Sequence, residues 1–162
     1  METATYWIEK LGMTPHPEGG YCKEVYRPEY RIETDRSGRF PDNRRILTTI
    51  YYLLETTQVS KFHRLLSAES WFFHKGTPLL IYSIEKGNMV CRELSDRPDG
   101  QLQLTLEPSV WFAARLKQPL GYTLVSCAVA PGFEYTDFTL ADEATLIAEY
   151  PEHRSTIQMF YK

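Results

Sequence analysis

The chain has 162 residues, a net charge of −3, 43% hydrophobic and 24% charged residues, enough for one domain with a sizeable core and too few for two ordinary ones. The slight negative charge argues against nucleic acid, which needs a basic face, and no apolar run approaches the ~18 residues that cross a membrane. Eleven Tyr, eight Phe and three Trp favour strands, and three scattered cysteines without a C-x-x-C pair suit a reducing compartment better than a disulfide framework.

Thr3–Leu11 reads as a short amphipathic helix, with Tyr6, Trp7, Ile8 and Leu11 as its apolar side and Gly12 placed to end it. The first residues lack the basic-then-apolar order of a secretion signal, so the expected location is cytoplasmic. His16-Pro17-Glu18-Gly19-Gly20 breaks the helix and predicts a turn whose glycines permit close backbone approach, with Glu18 a candidate for a pocket mouth. Tyr21–Arg27 follows as a strand. Residues 34–45, polar and containing Gly38 and Pro41, read as a mobile loop. Lys23, Arg27, Arg31, Arg36, Arg39, Arg44 and Arg45 are interleaved with acids, the pattern of a solvated or subunit-facing surface.

From Ile46 the pattern is strand after strand: Ile46–Leu54, Val59–Leu66, Ser70–His74, Leu79–Ile84, Met89–Leu94, Leu102–Leu106, Val110–Ala113 and Tyr122–Val129. Turn formers such as Glu85-Lys86-Gly87-Asn88 and Arg97-Pro98-Asp99-Gly100 separate them, which implies an all-β sandwich or barrel. Cys127 falls in an apolar run and reads as a buried thiol. Helical propensity returns over Ala141–Tyr150, with Asp142 as N-cap and Pro151 as the end; His153 is expected to be exposed. No repeat or linker divides the chain, so residues 1–162 are expected to form a single domain.

One stretch, Phe62–Gly76, sets His63, a glutamate six positions on (Glu69) and a glycine seven beyond that (Gly76) in β-rich sequence. It resembles the first motif of the cupin superfamily, H-x-H-x3-E-x6-G, with Leu65 in place of the second histidine. Pro108–Ala113 resembles the second motif, P-x-G-x-x-H, with Val110 for the glycine and Ala113 for the histidine. More closely still, Leu11–Tyr21, Thr49–Leu54, His63–Pro78, Val110–Ala114 and Gly121–Phe138 resemble cupin family 5 (formerly DUF985), whose members are often labelled predicted sugar epimerases. The resemblance implies an all-β cupin jelly-roll β-barrel with a short N-terminal helix and a helical C-terminal segment, paired as a homodimer.

That alignment points His63 and Glu69 into the barrel. Strand alternation puts 61, 63 and 65 on one face and 69, 71 and 73 on another. The expected cavity therefore holds His63 and Glu69 among Leu65, Trp71 and Phe73, joined by Trp111 if Ala113 occupies the old histidine place. The chemistry expected there is metal-free proton abstraction next to a carbonyl, with His63 as base and Glu69 setting its tautomer. Tyr51, Tyr82 and Tyr122 are the candidate opposing acids, and Trp71 and Trp111 are walls for a sugar ring or a nucleotide base. His74 is either a mouth residue or a structural histidine near the turn at Gly76. Phe133 and Asp137 lie on a segment that could fold over the opening. The candidate ligand-binding set is thus Tyr51, Trp71, Phe73, His74, Trp111, Tyr122, Phe133 and Asp137. With two ligand positions replaced, no metal and no cofactor are expected; the alternatives are a metal site of His63, Glu69 and His74, or a binding protein without turnover. The expected partner is a small molecule, a sugar or nucleotide-sugar.

Overall fold

The computed structural model of the protein describes residues 2–33 and 38–162. Helix α1 covers Ala4–Leu11; the Thr3 hydroxyl accepts from the Tyr6 N–H at its start, and Gly12 closes it at φ +62, where a Cβ would be strained. Strands β1 (Thr14–Pro15), β2 (Tyr21–Tyr26), β3 (Arg31–Ile32) and β4 (Arg44–Arg45) are followed by the longer β5 (Thr48–Glu55), β6 (Val59–Leu65), β7 (Ala68–Gly76), β8 (Leu79–Glu85) and β9 (Asn88–Leu94). Then come β10 (Gln103–Leu106), β11 (Trp111–Leu116), β12 (Tyr122–Ala130) and the short β13 (Phe138–Leu140).

Two antiparallel sheets face each other. One has the order β1-β2-β5-β12-β7-β10 and the other β13-β6-β11-β8-β9, while β3 and β4 pair separately. From β5 onward the chain crosses from sheet to sheet at every connection except the β8–β9 hairpin. That crossing pattern is a jelly roll, a double-sheet solution to the edge-strand problem; the sheets do not close by hydrogen bonding into one continuous barrel.

Alternation decides which side chains meet. Tyr52, Trp71, Phe73, Val125 and Cys127 of the first sheet pack between the layers against Leu79, Ile81, Phe112 and Leu116 of the second. Each large side chain buried there contributes roughly 1.5–3 kcal/mol. The outer face of the second sheet is also apolar, and Phe62, Trp111, Ala113 and Ile84 are covered by Leu146, Ile147, Ile157 and Phe160. These come from α2 (Glu143–Glu149), capped by Asp142 accepting from the Thr145 N–H, and from α3 (Arg154–Ile157) with its flanking 3-10 turns. Pro151 ends α2 as expected, but the chain resumes helical turns at once. His153 is half-buried rather than exposed, its Nε2 donating to the Gly87 carbonyl at 2.8 Å. On the outer face of the first sheet, Trp7, Ile8 and Leu11 of α1 cover Leu53, Leu124, Tyr51 and Tyr122.

The expected mobile loop at 34–45 is only partly within view, since residues 34–37 lie outside the described residues. The rest is anchored: Arg44 is 2% exposed and its guanidinium grips Asp137 through Nε at 2.7 Å and Nη2 at 2.6 Å. This buried bidentate pair ties β4 to the segment between β12 and β13.

Candidate functional site

The sequence Pro17-Glu18-Gly19-Gly20 folds into the tight turn that places the site's least expected residue. The His16 N–H donates to the Gly20 carbonyl and the Gly19 N–H to the His16 carbonyl, both at 3.0 Å. Gly19 and Gly20 have φ +114 and +70, and a Cβ on either would collide with the backbone of β6 or β5. Only glycine lets the turn lie this close. The Lys61 N–H donates to the Glu18 carbonyl at 2.8 Å, so the turn is stitched against β6 and the Glu18 side chain enters the space between the sheets, 6% exposed.

There Glu18 meets His63. Glu18 Oε2 lies 3.1 Å from His63 Nε2, and Glu18 Oε1 accepts from the Ser60 hydroxyl at 2.9 Å. His63 Nδ1 is 2.7 Å from the Lys61 carbonyl. A carbonyl can only accept, so Nδ1 carries hydrogen and Nε2 is left facing the carboxyl. Burial pushes Glu18 above the usual carboxylate range, with His16 and Ser60 pulling it back. Burial likewise lowers His63, opposed by the charge of Glu69. Both directions favour the uncharged pair, a carboxyl O–H donating to Nε2, over an ion pair. His16 sits beside them, its Nδ1 3.5 Å from Glu18 Oε2, and burial lowers it too.

Glu69 enters from β7 and faces the same space. Among the described residues its buried Oε2 makes no well-formed hydrogen bond, and neither does the Trp71 indole N–H, although that indole and the Cys127 thiol lie close enough to Glu69 to stabilise its charged form. Burial raises the Glu69 carboxyl to about 7, with His63 opposing and Trp71 and Cys127 pulling it back by hydrogen bonding. Tyr52 completes the polar set: its hydroxyl donates to the Gly19 carbonyl at 2.6 Å, and burial with Glu18 nearby raises it well above the ordinary phenol. These groups line a cavity of about 150 Å³ with otherwise apolar and aromatic walls, including Leu65, Trp71, Val129 and Phe138. Phe133 and Tyr135 lie on the segment leading into β13 and line the same cavity, together with Arg27 and Glu24.

The candidate residues therefore divide. His63, Glu69, Trp71 and Phe133 line the cavity. Phe73 shares their face but is packed into the core beyond it. Trp111 is on the outer face, under the C-terminal helices with the Arg64 guanidinium 4.4 Å from its ring centre. The inward residues of β11 are Phe112 and Ala114, one position out of step with the motif alignment, and the Phe112 ring lies 4.1 Å from that of His63. None of Tyr51, Tyr82 and Tyr122 reaches the cavity. Tyr51 and Tyr122 pack beside α1, where Tyr122 accepts from the Trp7 indole at 2.9 Å, and Tyr82 packs on Phe160. The neighbour Tyr52 is the inward tyrosine. His74 is on the outer face, paired with Ser126 at 2.9 Å, which removes it from any ligand set with His63 and Glu69. Asp137 is buried against Arg44 instead of lining the opening. On β6 the expected set 61, 63 and 65 also fails at its first member: Lys61 is exposed, because a bulge sets Lys61 and Phe62 opposite Ala113 alone and resets the alternation.

Matching against protein-family models finds Cupin superfamily (DUF985) over residues 5–141. The chain belongs to this family. Among solved structures this cupin is similar to a hypothetical protein from Leishmania major, at TM-score 0.88 and 33% identity, covering 97% of each chain. It is equally similar to protein SO0799 from Shewanella oneidensis, at TM-score 0.88 and 34% identity over 99% of this chain and 98% of that one. An uncharacterized protein, YML079W, from Saccharomyces cerevisiae is 28% identical over 145 residues, 82% of this chain and 72% of the relative. Oxalate decarboxylase from Bacillus subtilis shares the fold, at TM-score 0.56 and 12% identity over 89% of this chain and 35% of that one.

The cupin motifs imply a metal centre, and the donors here do not fit one. Leu65 presents an alkyl side chain to the cavity at the second histidine position, and Phe112 is the inward residue where the last histidine would be sought. Among the described residues no group of three or more His, Cys, Asp or Glu side chains is arranged to hold an ion, where three or more protein ligands are usual. What remains is a cupin fold with a small-molecule-sized cavity and a buried acid–base cluster. Among the described residues no helix is long and apolar enough to cross a membrane.

Proposed function

We propose that this cupin binds a small carbonyl compound between its sheets and moves a proton on it, as a metal-independent isomerase or epimerase with the Glu18–His63 pair as base. The observation that carries this reading is the orientation of His63, with Nδ1–H anchored on the Lys61 carbonyl and Nε2 held 3.1 Å from Glu18 Oε2 inside the cavity. A side chain fixed at both nitrogens is preorganised for proton transfer.

Once the pair has released its shared proton, a carboxylate steadied by Ser60 and a neutral imidazole face the ligand. Together they accept the hydrogen next to the carbonyl. The C–H bond breaks, its electrons pass into the enolate, and the proton resides between Nε2 and Oε2. Its return to the neighbouring carbon, with the substrate's own hydroxyl proton passing to the enolate oxygen, gives an isomer, whereas an epimer requires a different proton delivered to the opposite face of the first carbon. Tyr52, protonated and on the cavity wall, is a second proton carrier within the same set. Since Glu18 lies above the usual carboxylate range, the rate rises with pH as the pair loses its proton.

Size narrows the substrate. About 150 Å³ is the space that encloses roughly one six-membered ring, which favours a single sugar ring; the nucleotide of a nucleotide-sugar would have to extend past Tyr135 at the mouth. The test is hydrogen exchange in deuterated water across a panel of aldoses, ketoses and amino sugars, followed by proton NMR. Exchange next to the carbonyl should occur in at least one compound and fall by roughly 10²–10⁴-fold in Glu18→Gln and His63→Asn. Binding of a panel member without exchange would leave a binding protein instead.

A further inference from the structure

Acidic groups outnumber basic ones around the cavity, and the acid left over specifies what should enter. Three carboxyl groups line it, Glu18, Glu24 and Glu69, against one guanidinium, Arg27, and no lysine. Arg27 is already committed: its Nε donates to Glu24 at 2.7 Å and its Nη1 to the Phe133 carbonyl at 3.0 Å, with Glu134 at 3.4 Å. Glu18 is matched by His63 and Ser60. Glu69 is the group left over, 6% exposed, its buried Oε2 without a well-formed hydrogen bond and with only the neutral Trp71 indole and Cys127 thiol close enough to steady its charge. A buried carboxyl oxygen without a full partner is destabilising, more so when charged, and a ligand that supplies the missing donor recovers that loss.

Around that oxygen the walls are aromatic. Trp71 stands two positions along the same strand face, Tyr52 is edge-on to it with ring centres 5.5 Å apart, and Phe138 lies against the His63 ring at 5.5 Å. A carboxylate with aromatic faces close by is the environment that holds an ammonium, by ion pairing on one side and by the ring quadrupoles on the others. We infer that the cavity's ligand is a small amine, its ammonium seated on Glu69 Oε2 between the aromatic walls. Because no uncommitted cationic side chain lines the cavity, a ligand carrying a carboxylate or phosphate inside it is disfavoured. The inference rests on the proton-transfer reading for its location and narrows the substrate to an amine-bearing carbonyl compound such as a single-ring amino sugar. The ionisable groups facing Glu69 are His63, Glu18 and Cys127, and none of them is a cation that could replace the ammonium.

Binding separates this inference from the catalytic reading. Cyclohexylamine, cyclohexanol and cyclohexanecarboxylate match the cavity in size and differ in charge, and titration of each into the protein at pH 8 is followed by NMR shifts of the Trp71 indole N–H. Cyclohexylamine should bind at least tenfold more tightly than cyclohexanol, and the carboxylate should not bind. Acidification should weaken the amine, because Glu69 takes up a proton below about 7; an alcohol that accepts from the protonated carboxyl should strengthen instead. Glu69→Gln, checked for folding by circular dichroism, should bring the amine and alcohol within threefold. Equal affinity for amine and alcohol in the wild-type protein, or preferential binding of the carboxylate, overturns the inference whether or not the variant folds. A retained amine preference without any carbonyl-adjacent hydrogen exchange would uphold the amine site and remove the catalytic reading alone.

Discussion

Replacing Glu69 by glutamine should stabilise the fold at alkaline pH. The carboxyl is raised from its ordinary 4.5 to about 7 on burial, so between those values the folded chain holds a proton that the unfolded chain has released. Stability contributed by that proton is fully present below about 4.5, declines as pH rises and is gone above about 7. A difference of roughly 2.5 units at 1.36 kcal/mol each amounts to about 3 kcal/mol. Glutamine keeps the shape and cannot ionise. His16 and His63 work in the opposite sense, because burial lowers both and stability is lost as pH falls below their ordinary value of 6.5. The quantity to read is therefore the difference between variant and wild type, from urea unfolding at pH 5 and pH 8. The variant should gain about 2–3 kcal/mol relative to wild type on going from pH 5 to pH 8. A difference that does not change between the two pH values would mean that Glu69 already has a counter-charge or solvent access, and the argument for an unmatched buried carboxyl would fail.

Three further outcomes are expected. Arg44→Ala leaves Asp137 buried without its partner and should destabilise the fold by about 3–5 kcal/mol in chemical denaturation, whereas a loss below about 1 kcal/mol would place the pair in solvent. Phe160→Ala removes a ring stacked edge-on against Phe62 at 5.1 Å and should cost about 3–5 kcal/mol; an unchanged melting temperature would detach the C-terminal helices from the sheet. A symmetric homodimer is expected because Val25, Tyr26 and Tyr30 are 55%, 49% and 66% exposed on and just beyond β2, an apolar surface that a second copy would cover; light scattering at micromolar concentration checks it, and a monomer contradicts it.

The fold was legible because jelly-roll strands are short, aromatic and punctuated by turns, and because the spacing of His63, Glu69 and Gly76 is specific to the cupin motif. The site was legible only where strand phase could be carried forward from that motif. Glu69 and Trp71 follow by simple alternation on β7. Phase failed wherever a bulge intervened: the extra residue at Lys61–Phe62 resets β6 and puts Phe112, not Trp111 or Ala113, opposite His63. A shift of one position likewise separates Tyr51, on the outer face, from Tyr52 inside. Glu18 was harder to see, since a carboxylate in a Pro-Gly-Gly turn resembles an exposed loop residue until the neighbouring strand is in place. The signal was the glycine pair itself, whose positive φ values and lack of Cβ are needed for the turn to lie against β5 and β6.

The central claim, that His63 presents Nε2 to Glu18 with one proton between them, is accessible to nitrogen-15 NMR of the imidazole side chains. His63 should show a protonated Nδ1 and an Nε2 shifted by a strong hydrogen bond, should become imidazolium only below its ordinary 6.5 because burial lowers it, and should lose the Nε2 perturbation in Glu18→Leu. An Nε2-protonated tautomer, or a His63 that titrates near 6.5 like an exposed histidine and is indifferent to Glu18, would contradict the account.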